Sequence, residues 1–164
     1  AAATPVSEPS TERVAAFIAA HGLDAEIIDT PDGVPTVELA AIALGVDVDR
    51  IIKTLVFVDT ADRLVIGIAC GTGRVDRAKL AEPAGTGTLR LAPAPLVLET
   101  TGYPPGGVAP VDLPDDATVI MDERVLLQPI VYGGSGTDLH MVRIRPHDIV
   151  RLNAARVADI LQTP

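Results

Sequence analysis

The chain has 164 residues, of which 48% are apolar and 2% aromatic, and its formal net charge is −9 at pH 7. This apolar fraction excludes a disordered chain, and the length suits a single domain with one core. The acidic balance argues against unaided binding to a long nucleic-acid duplex, and the few aromatic rings offer little stacking surface for single strands. Most of the net negative charge lies in residues 1–50, which carry nine acids and two bases, so the rest of the chain leaves room for a local phosphate site.

No segment predicts a membrane span, a disulfide or a metal site. The apolar run Leu64–Cys70 is far shorter than the 18 or so residues that a membrane span needs, and no basic-then-apolar leader opens the chain. The single cysteine has no partner and is expected to be inert core, and the three histidines stand too far apart for zinc-site spacing. We therefore expect a cytoplasmic protein with no membrane partner, no metal ion and no cofactor.

The N-terminus predicts a tail followed by a helix. Residues 1–9 are small, polar and proline-containing, and we expect them to form a flexible tail, with residues 10–164 as a single domain. Ser10 or Thr11 can cap a first helix, because apolar residues behind them recur on one helical face. Gly22 stands where such a helix would end.

The next elements are predicted by caps and β-branched runs. A short strand is expected over 25–28, and a helix over 36–45 that Thr36 caps. The apolar runs Ile51–Val58 and Leu64–Cys70 predict a buried hairpin. Asp76 is placed to cap a further helix.

The C-terminal half alternates irregular and regular segments. Prolines punctuate the stretch 83–117, which we expect to be mostly irregular. Strands are predicted over 118–121, 129–132 and 139–144, and helical pieces over 146–152 and 155–161. These elements together predict one mixed α/β domain on a largely antiparallel sheet.

Lys53 is the only charged residue in the apolar strand Ile51–Val58. A charge at this place must either extend its ammonium group to water or meet an anion in a cleft. In the first case Lys53 is a surface residue without a special role. In the second it is a pocket lysine that holds a phosphate or polarises a carbonyl oxygen. The residues alone leave both interpretations open.

Two glycine-rich segments are candidates for the walls of a pocket. The segment 101–110 combines three glycines with three prolines, and it is either a rigid ligand-binding loop or an ordinary surface connection. The segment 132–140 contains Ser135, Asp138 and His140, but it lacks the pattern of a nucleophilic serine because Thr stands where the second glycine is needed. We interpret it as a glycine-rich turn that borders a pocket.

Two groups of basic residues stand out against the acidic balance. They are Arg74, Arg77 and Lys79, and Arg143, Arg145, His147 and Arg151. Both groups are typical of a solvated surface, and either is also suited to contact an RNA backbone.

Taken in order, these segments resemble the YbaK/EbsC/ProX family of aminoacyl-tRNA editing domains, which is related to the insertion domain of bacterial prolyl-tRNA synthetase. The segments that carry the resemblance are 36–45, 51–58 with Lys53, 74–80, 101–110, 119–122, 133–152 and 155–160. Each segment alone is weak evidence, but their order and spacing are specific. The resemblance covers about residues 11–162.

The resemblance implies a mixed α/β fold with a largely antiparallel, partly barrel-like central sheet and flanking helices. It also implies a metal-free hydrolase that removes mischarged amino acids from tRNA. Lys53 would be the catalytic residue, beside the ester and the terminal adenosine. The substrate-binding residues that the resemblance implies are Pro35, Thr36, Thr54, Gly102, Tyr103, Pro104, Gly106, Gly107, Pro110, Gly134, Ser135 and His140.

The leading hypothesis is therefore a trans-editing deacylase that hydrolyses the ester of mischarged tRNA, with Ala- or Cys-tRNA of the proline system as substrate. Its expected partner is the 3′ aminoacyl end of tRNA, helped by an aminoacyl-tRNA synthetase or an elongation factor. The alternative is a non-catalytic module that binds a nucleotide or an aminoacyl-adenylate-like ligand, or docks on a synthetase, through the same cleft. A third hypothesis, a structural partner domain, requires that side chains fill this cleft.

Overall fold

The computed structural model describes residues 8–34, 36–137 and 139–163. The α-helices in these ranges are Glu8–His21 (α1), Val37–Leu44 (α2), Arg77–Ala84 (α3), Ala94–Thr101 (α4) and Pro146–Asn153 (α5). The strands are Glu26–Asp29 (β1), Ile52–Val58 (β2), Leu64–Cys70 (β3), Arg90–Leu91 (β4), Thr118–Asp122 (β5), Val131–Gly134 (β6), His140–Ile144 (β7) and Arg156–Ala158 (β8). Short 3-10 helices span Val48–Arg50 and Glu123–Leu127.

Side-chain caps determine where α2 and α3 begin, as the sequence predicts. Leu39 N donates a hydrogen bond to Thr36 Oγ1 at 3.1 Å, and Ala78 N donates to Asp76 Oδ1 at 2.9 Å. Each cap satisfies a backbone N–H group that has no partner inside its helix. Gly45 ends α2 in the left-handed conformation with φ +66°.

The strands form two sheets. One has the order β1-β7-β6 and is antiparallel throughout. The other has the order β4-β2-β3-β5-β8, in which β4, β2 and β3 pair antiparallel and β3, β5 and β8 pair parallel. A bridge between Ile51 and Tyr132 connects the sheets where β2 begins. The mixed α/β fold is thus confirmed, but its partly barrel-like closure is not, since the described strands lie in two separate sheets.

The core lies on both faces of β2 and β3. Side chains alternate along β2, so Ile52 and Val56 pack into the larger core with residues of α1, α4, α5 and β7. Phe57 faces the other side, where it packs with Leu80 of α3 in a smaller cluster. Lys53 shares the Phe57 face by the same alternation, and it lies near the beginning of the strand.

The prediction of a helix over 155–161 is wrong. Residues Arg156–Ala158 instead form β8, which pairs parallel with β5, with Met121 opposite Val157. The edge of β5 presents unpaired backbone N–H and C=O groups, and pairing with them satisfies the groups of both segments. A tertiary contact therefore overrides the local preference of this short segment.

The stretch 83–117 is less irregular than predicted, because it contains β4 and α4. The first helix begins at Glu8, ahead of the predicted caps, and residues 1–7 of the predicted tail lie outside the described residues. Among the described helices, none is long and apolar enough to cross a membrane.

Candidate functional site

A cleft of about 270 Å³ opens between α2, the beginning of β2 and the two glycine-rich segments. It is lined by Val34, Thr36, Val37, Ala40, Ile51, Ile52, Lys53, Thr54, Leu55, Gly106, Val108, Gly134, Thr137, His140 and Met141. Side chains do not fill this cleft, which removes the condition that the structural-partner hypothesis needs. Most of the lining is apolar, so the polar groups in it are few and their positions matter.

Among the described residues that line the cleft, Lys53 is the one lysine or arginine. It lies on β2 opposite Ala69 of β3 and is half-buried. Within the described part of the chain it has no ion-pair or hydrogen-bond partner. Since β2 is held by β3 along its whole length, the lysine stem has a rigid base and its ammonium group is free to meet an anion.

Thr54 follows Lys53 and supplies a second polar group to the cleft. Its side chain is 8% exposed, and its Oγ1 has no hydrogen-bond partner among the described residues. A buried hydroxyl without a partner costs free energy, because it has lost its hydrogen bonds to water.

The rim at α2 is built by the capped first turn of that helix. Thr36 uses its hydroxyl for the cap, so it shapes the rim and fixes Val37 and Ala40 against the cleft. Met141 of β7 packs on Ala40 from the opposite side. Pro35, which precedes the cap, lies outside the described residues.

His140 contributes a wall that is held on two sides. Its Nδ1 lies 3.1 Å from Thr137 Oγ1, and its Nε2 lies 3.4 Å from Asp29 Oδ1 on the neighbouring strand. Leu139 N also donates to Thr137 Oγ1, so the turn before β7 is tied together locally. Both ring nitrogens are therefore engaged with protein groups, which keeps the imidazole in place beside the cleft.

The segment 101–110 reaches the cleft through Gly106 and Val108. Gly106 has φ +78°, a left-handed conformation that favours glycine, and it turns the backbone toward the cleft. Gly107 is packed against the other glycine-rich segment: Gly136 N donates to Gly107 O at 2.8 Å. A Cβ on Gly107 would lie 2.9 Å from the carbonyl carbon of Gly136, so only glycine permits this approach.

Other residues of this loop anchor it and do not line the cleft. Tyr103 is fully buried, donates from its hydroxyl to Val111 O at 3.0 Å, and has its pKa raised to about 12 by burial. The Arg13 guanidinium lies 4.2 Å from the centre of the Tyr103 ring and next to Gly102. Pro104 O accepts from Gly107 N at 3.0 Å.

The glycine-rich segment 132–140 also contains both residues that line the cleft and residues that support it from behind. Gly134 lines the cleft, whereas Ser135 is fully buried and does not. Ser135 O accepts a hydrogen bond from Thr11 Oγ1 at 3.0 Å, which ties the turn to α1. Pro110 is likewise a support residue, since its carbonyl accepts from Asn153 Nδ2 of α5 at 2.8 Å.

The structure thus brings six of the predicted site residues into one cleft: Thr36, Lys53, Thr54, Gly106, Gly134 and His140. Sequence reasoning missed the apolar walls, because a valine or methionine that lines a cleft looks like any core residue. It also missed Thr137, whose signal was its place in the glycine-rich turn. In the ranges that the structure describes, no group of three or more histidine, cysteine or acidic residues is placed to hold a metal ion.

This chain belongs to the family of aminoacyl-tRNA editing domains, whose model matches residues 31–152. The matched range contains every residue that lines the cleft. The resemblance inferred from the sequence is therefore confirmed at the level of the family.

Among curated proteins, the uncharacterised protein YwhH of Bacillus subtilis is 30% identical over 122 residues, which cover 74% of this chain and 77% of YwhH. Proline–tRNA ligase of Shouchella clausii is 35% identical over 130 residues, 79% of this chain. The match covers 22% of that ligase, so this chain spans about a fifth of the length of the ligases it matches. The relation to one domain of prolyl-tRNA synthetase is confirmed.

Solved structures agree over nearly the whole fold. A candidate trans-editing enzyme for prolyl tRNA synthetase superposes with a TM-score of 0.86 at 31% identity, covering 94% of this chain and 98% of that one. The hypothetical protein APE2540 superposes with a TM-score of 0.84 at 35% identity, covering 92% of this chain and 99% of that one. The mixed α/β architecture is thus that of editing-domain structures.

Proposed function

We propose that this chain is an aminoacyl-tRNA deacylase that hydrolyses the ester bond of mischarged tRNA, and that Lys53 is its catalytic residue. The observation that carries the proposal is Lys53, a cation without a partner among the described residues, in the lining of a small, mostly apolar cleft of an aminoacyl-tRNA editing domain. A cation with no internal partner is available to a substrate without the disruption of an existing ion pair.

The protein does not have to supply a nucleophile, because an aminoacyl ester is already activated. Water, or a hydroxyl or thiol group of the substrate itself, adds to the ester carbonyl carbon and places negative charge on the carbonyl oxygen. The bond to the ribose oxygen then breaks, and that oxygen takes up the proton that the attacking group has released. With water as the nucleophile, the products are the free amino acid and uncharged tRNA.

Lys53 stabilises the charge that develops on the carbonyl oxygen, because its backbone is held on a rigid strand and its ammonium group has few other polar groups around it in the site. The backbone of Gly106 and Gly134 and the imidazole of His140 position the aminoacyl group beside it. Gly102, Tyr103, Pro104, Gly107, Pro110 and Ser135 act by holding these walls in place. The mechanism needs no protein nucleophile, and none of the described residues that line the cleft is a serine or a cysteine.

The size of the cleft would determine which amino acid on the tRNA is accepted. About 270 Å³ must hold the amino acid and part of the terminal ribose, which favours a small side chain. One methylene group changes binding by only about 1–3 kcal/mol, so the apolar wall of Val37, Ala40 and Met141 must exclude larger residues sterically. We therefore propose Ala- or Cys-tRNA of the proline system as the substrate. The likeness to a domain of proline–tRNA ligases supports this choice.

We further propose that the chain acts in trans, on tRNA released by a synthetase, with a synthetase or an elongation factor presenting the substrate. Two observations support this: the net charge of −9 disfavours tight unaided binding to tRNA, and the fold matches 98% of a candidate trans-editing enzyme.

The test is a deacylation assay on tRNA charged with Ala, Cys, Ser, Thr or Pro, with the wild-type protein and Lys53→Met. We expect hydrolysis of one small noncognate amino acid. Lys53→Met should lower kcat/KM by about 100-fold or more, because the variant has no charge to stabilise the transition state. Lys53→Arg should recover part of the rate, since it keeps the charge but alters its position.

Lys79→Met is the matched control, because Lys79 is the other lysine of the chain and does not line the cleft. We expect it to retain activity. Wild-type activity in a folded Lys53→Met protein would contradict the role of Lys53. Saturable binding of charged tRNA without hydrolysis of any of the five would instead support the non-catalytic module.

A further inference from the structure

A second groove adjoins the cleft, and Lys53 lines both. This groove has a volume of about 470 Å³ and lies along the Phe57 face of β2. We call it the basic groove, because Lys53, Arg74 and Arg77 are the charged residues among those that line it. Thr72 and Gln162 add neutral polar groups, and Leu91 adds an exposed apolar surface.

The arginines of the basic groove are without acidic partners in the described part of the chain. Elsewhere in the same ranges, most cations are paired: Arg13, Arg63, Lys79, Arg124, Arg143, Arg145 and Arg151 each form an ion pair. Asp76, between the two arginines in sequence, directs its carboxylate to the backbone of its own helix. Within those ranges, three cations without an acidic partner line one groove of a chain whose net charge is −9, and none of the described residues that line this groove is acidic.

The structure also separates two residues that are grouped in the sequence. Lys79 follows Arg77 by two positions but turns away, and its Nζ binds Asp159 Oδ2 at 3.1 Å and Leu161 O at 2.8 Å. The segment that carries Arg74 is held by a backbone hydrogen bond from Gln162 N to Arg74 O at 2.8 Å. The basic groove therefore has a fixed floor, above which the two arginine side chains are exposed.

We propose that the basic groove binds backbone phosphates of the RNA strand that leads to the aminoacyl end. This inference rests on the proposed function, in which the aminoacyl ester lies in the cleft beside Lys53. Because Lys53 borders both cavities, the basic groove offers an RNA strand with its ester in the cleft a path over Arg74 and Arg77. Arginine suits this task, since its planar guanidinium can hold two phosphate oxygens at once.

The first experiment compares two substrates in the Arg74→Gln/Arg77→Gln variant. One is an RNA hairpin ending in CCA and charged with the amino acid that the wild type removes. The other is the same amino acid esterified to adenosine, which has no phosphate. We expect KM for the charged hairpin to rise about tenfold with kcat within about twofold, because the arginines would bind the phosphates equally in the ground and transition states. Hydrolysis of the adenosine ester should not change.

The matched control is Arg50→Gln/Arg90→Gln, which removes the same charge. Neither of these arginines has an ion-pair partner among the described residues, and neither lines the basic groove. It should leave both substrates unaffected. An equal rise of KM in this control, no rise in the groove variant, or an equal decrease in activity on both substrates in the groove variant would each overturn the proposal.

The second experiment does not depend on catalysis. Binding of the uncharged hairpin is followed by fluorescence anisotropy at several salt concentrations. We expect the salt dependence to weaken in the groove variant, by about 0.7 in the log–log slope for each phosphate that the variant no longer neutralises. If the wild type hydrolyses neither substrate, the proposed function fails, and this measurement still decides on the basic groove: an unchanged slope and affinity would refute it.

Discussion

The two lysines of the chain lie in opposite surroundings. Lys79 binds Asp159 and the carbonyl of Leu161, and Arg124 bridges Asp159 to the buried Asp122. Lys53 lines two cavities and has no partner among the described residues. We call Lys79, Asp122, Arg124 and Asp159 the C-terminal ion cluster. A paired cation fastens one segment of chain to another, whereas an unpaired cation on a rigid strand is available to a ligand.

The comparison extends to the backbone near each lysine. The ion cluster holds the segment after β8, because Ile160 N donates to Asp122 Oδ1 at 3.0 Å. At the cleft, the close approach of Gly107 to Gly136 also fastens two segments of the chain to each other, but it does so without charged groups. The contact between the two glycine-rich segments is therefore made by packing and a backbone hydrogen bond, and it does not use the Lys53 cation.

The largest expected effect comes from breaking the ion cluster at its buried member. Asp122 is fully buried: its Oδ1 accepts from Ile160 N and from the Arg124 guanidinium, and its Oδ2 accepts from Arg124 N. Asp122→Asn should lower the free energy of unfolding by about 2–3 kcal/mol, because an amide cannot accept both sets of hydrogen bonds. Urea denaturation measures this. Glu99→Gln, an exposed acid, is the control, and a decrease below about 1 kcal/mol in Asp122→Asn would contradict the interpretation.

A smaller effect is expected where the cleft walls meet. Gly107→Ala should lower the free energy of unfolding by about 1–2 kcal/mol, because its Cβ would press on the backbone of Gly136. Gly87→Ala is the control, since a Cβ at Gly87 meets nothing within 4 Å. Deacylation should fall in Gly107→Ala even where it is folded, because the displaced turn carries Gly134. Equal stability of the two variants would show that the loops can move apart without cost.

The pH dependence of stability tests how much the ion pairs of the C-terminal ion cluster contribute to the fold. Hydrogen bonds from Arg124 and then Lys79 lower the pKa of Asp159 to about 2. Because this folded-state pKa lies below the unfolded value of about 3.9, Asp159 stabilises the fold above pH 4, and that contribution is lost as the pH falls toward 2. Unfolding measured from pH 7 to pH 2 should show wild type and Asp159→Asn converging at the acid end. Curves that stay parallel down to pH 2 would mean that ionisation of Asp159 does not stabilise the fold.

The smallest effect is expected at Cys70, which ends β3. Burial raises the pKa of its thiol to about 11, so little thiolate forms at neutral pH. Iodoacetamide should modify the native protein slowly at pH 8 and the urea-unfolded protein rapidly. Rapid modification of the native protein would show that the end of β3 opens, and that the floor of the site is less rigid than its strand pairing indicates.

Much of the fold could be predicted because its signals are local. Thr36 and Asp76 cap helices with their own side chains, and the β-branched runs around Lys53 form the expected hairpin. The position of Lys53 in an apolar strand is enough to make it a candidate from the sequence alone. The order of the motifs is enough to indicate the editing-domain family.

The rest depended on contacts between distant segments. Whether residues 156–158 form a helix or a strand was decided by the free edge of β5, which no local pattern records. The loop 101–110 could be recognised as a pocket segment, but only packing decided that Gly106 lines the cleft while Tyr103 is buried behind it. The path of the backbone through the glycines and prolines of this loop depends on the segments that pack against it.

By itself the sequence determined the mixed α/β class, the principal caps and hairpin, and the lysine on which the proposed chemistry depends. These follow from side-chain periodicity and from hydrogen bonds within a few residues. Only the tertiary structure decided which cations are paired: it joined Lys79 to Asp159 and left Lys53, Arg74 and Arg77 along one groove. Ion pairing depends on distances between segments some 80 residues apart, and these distances exist only once the chain has folded.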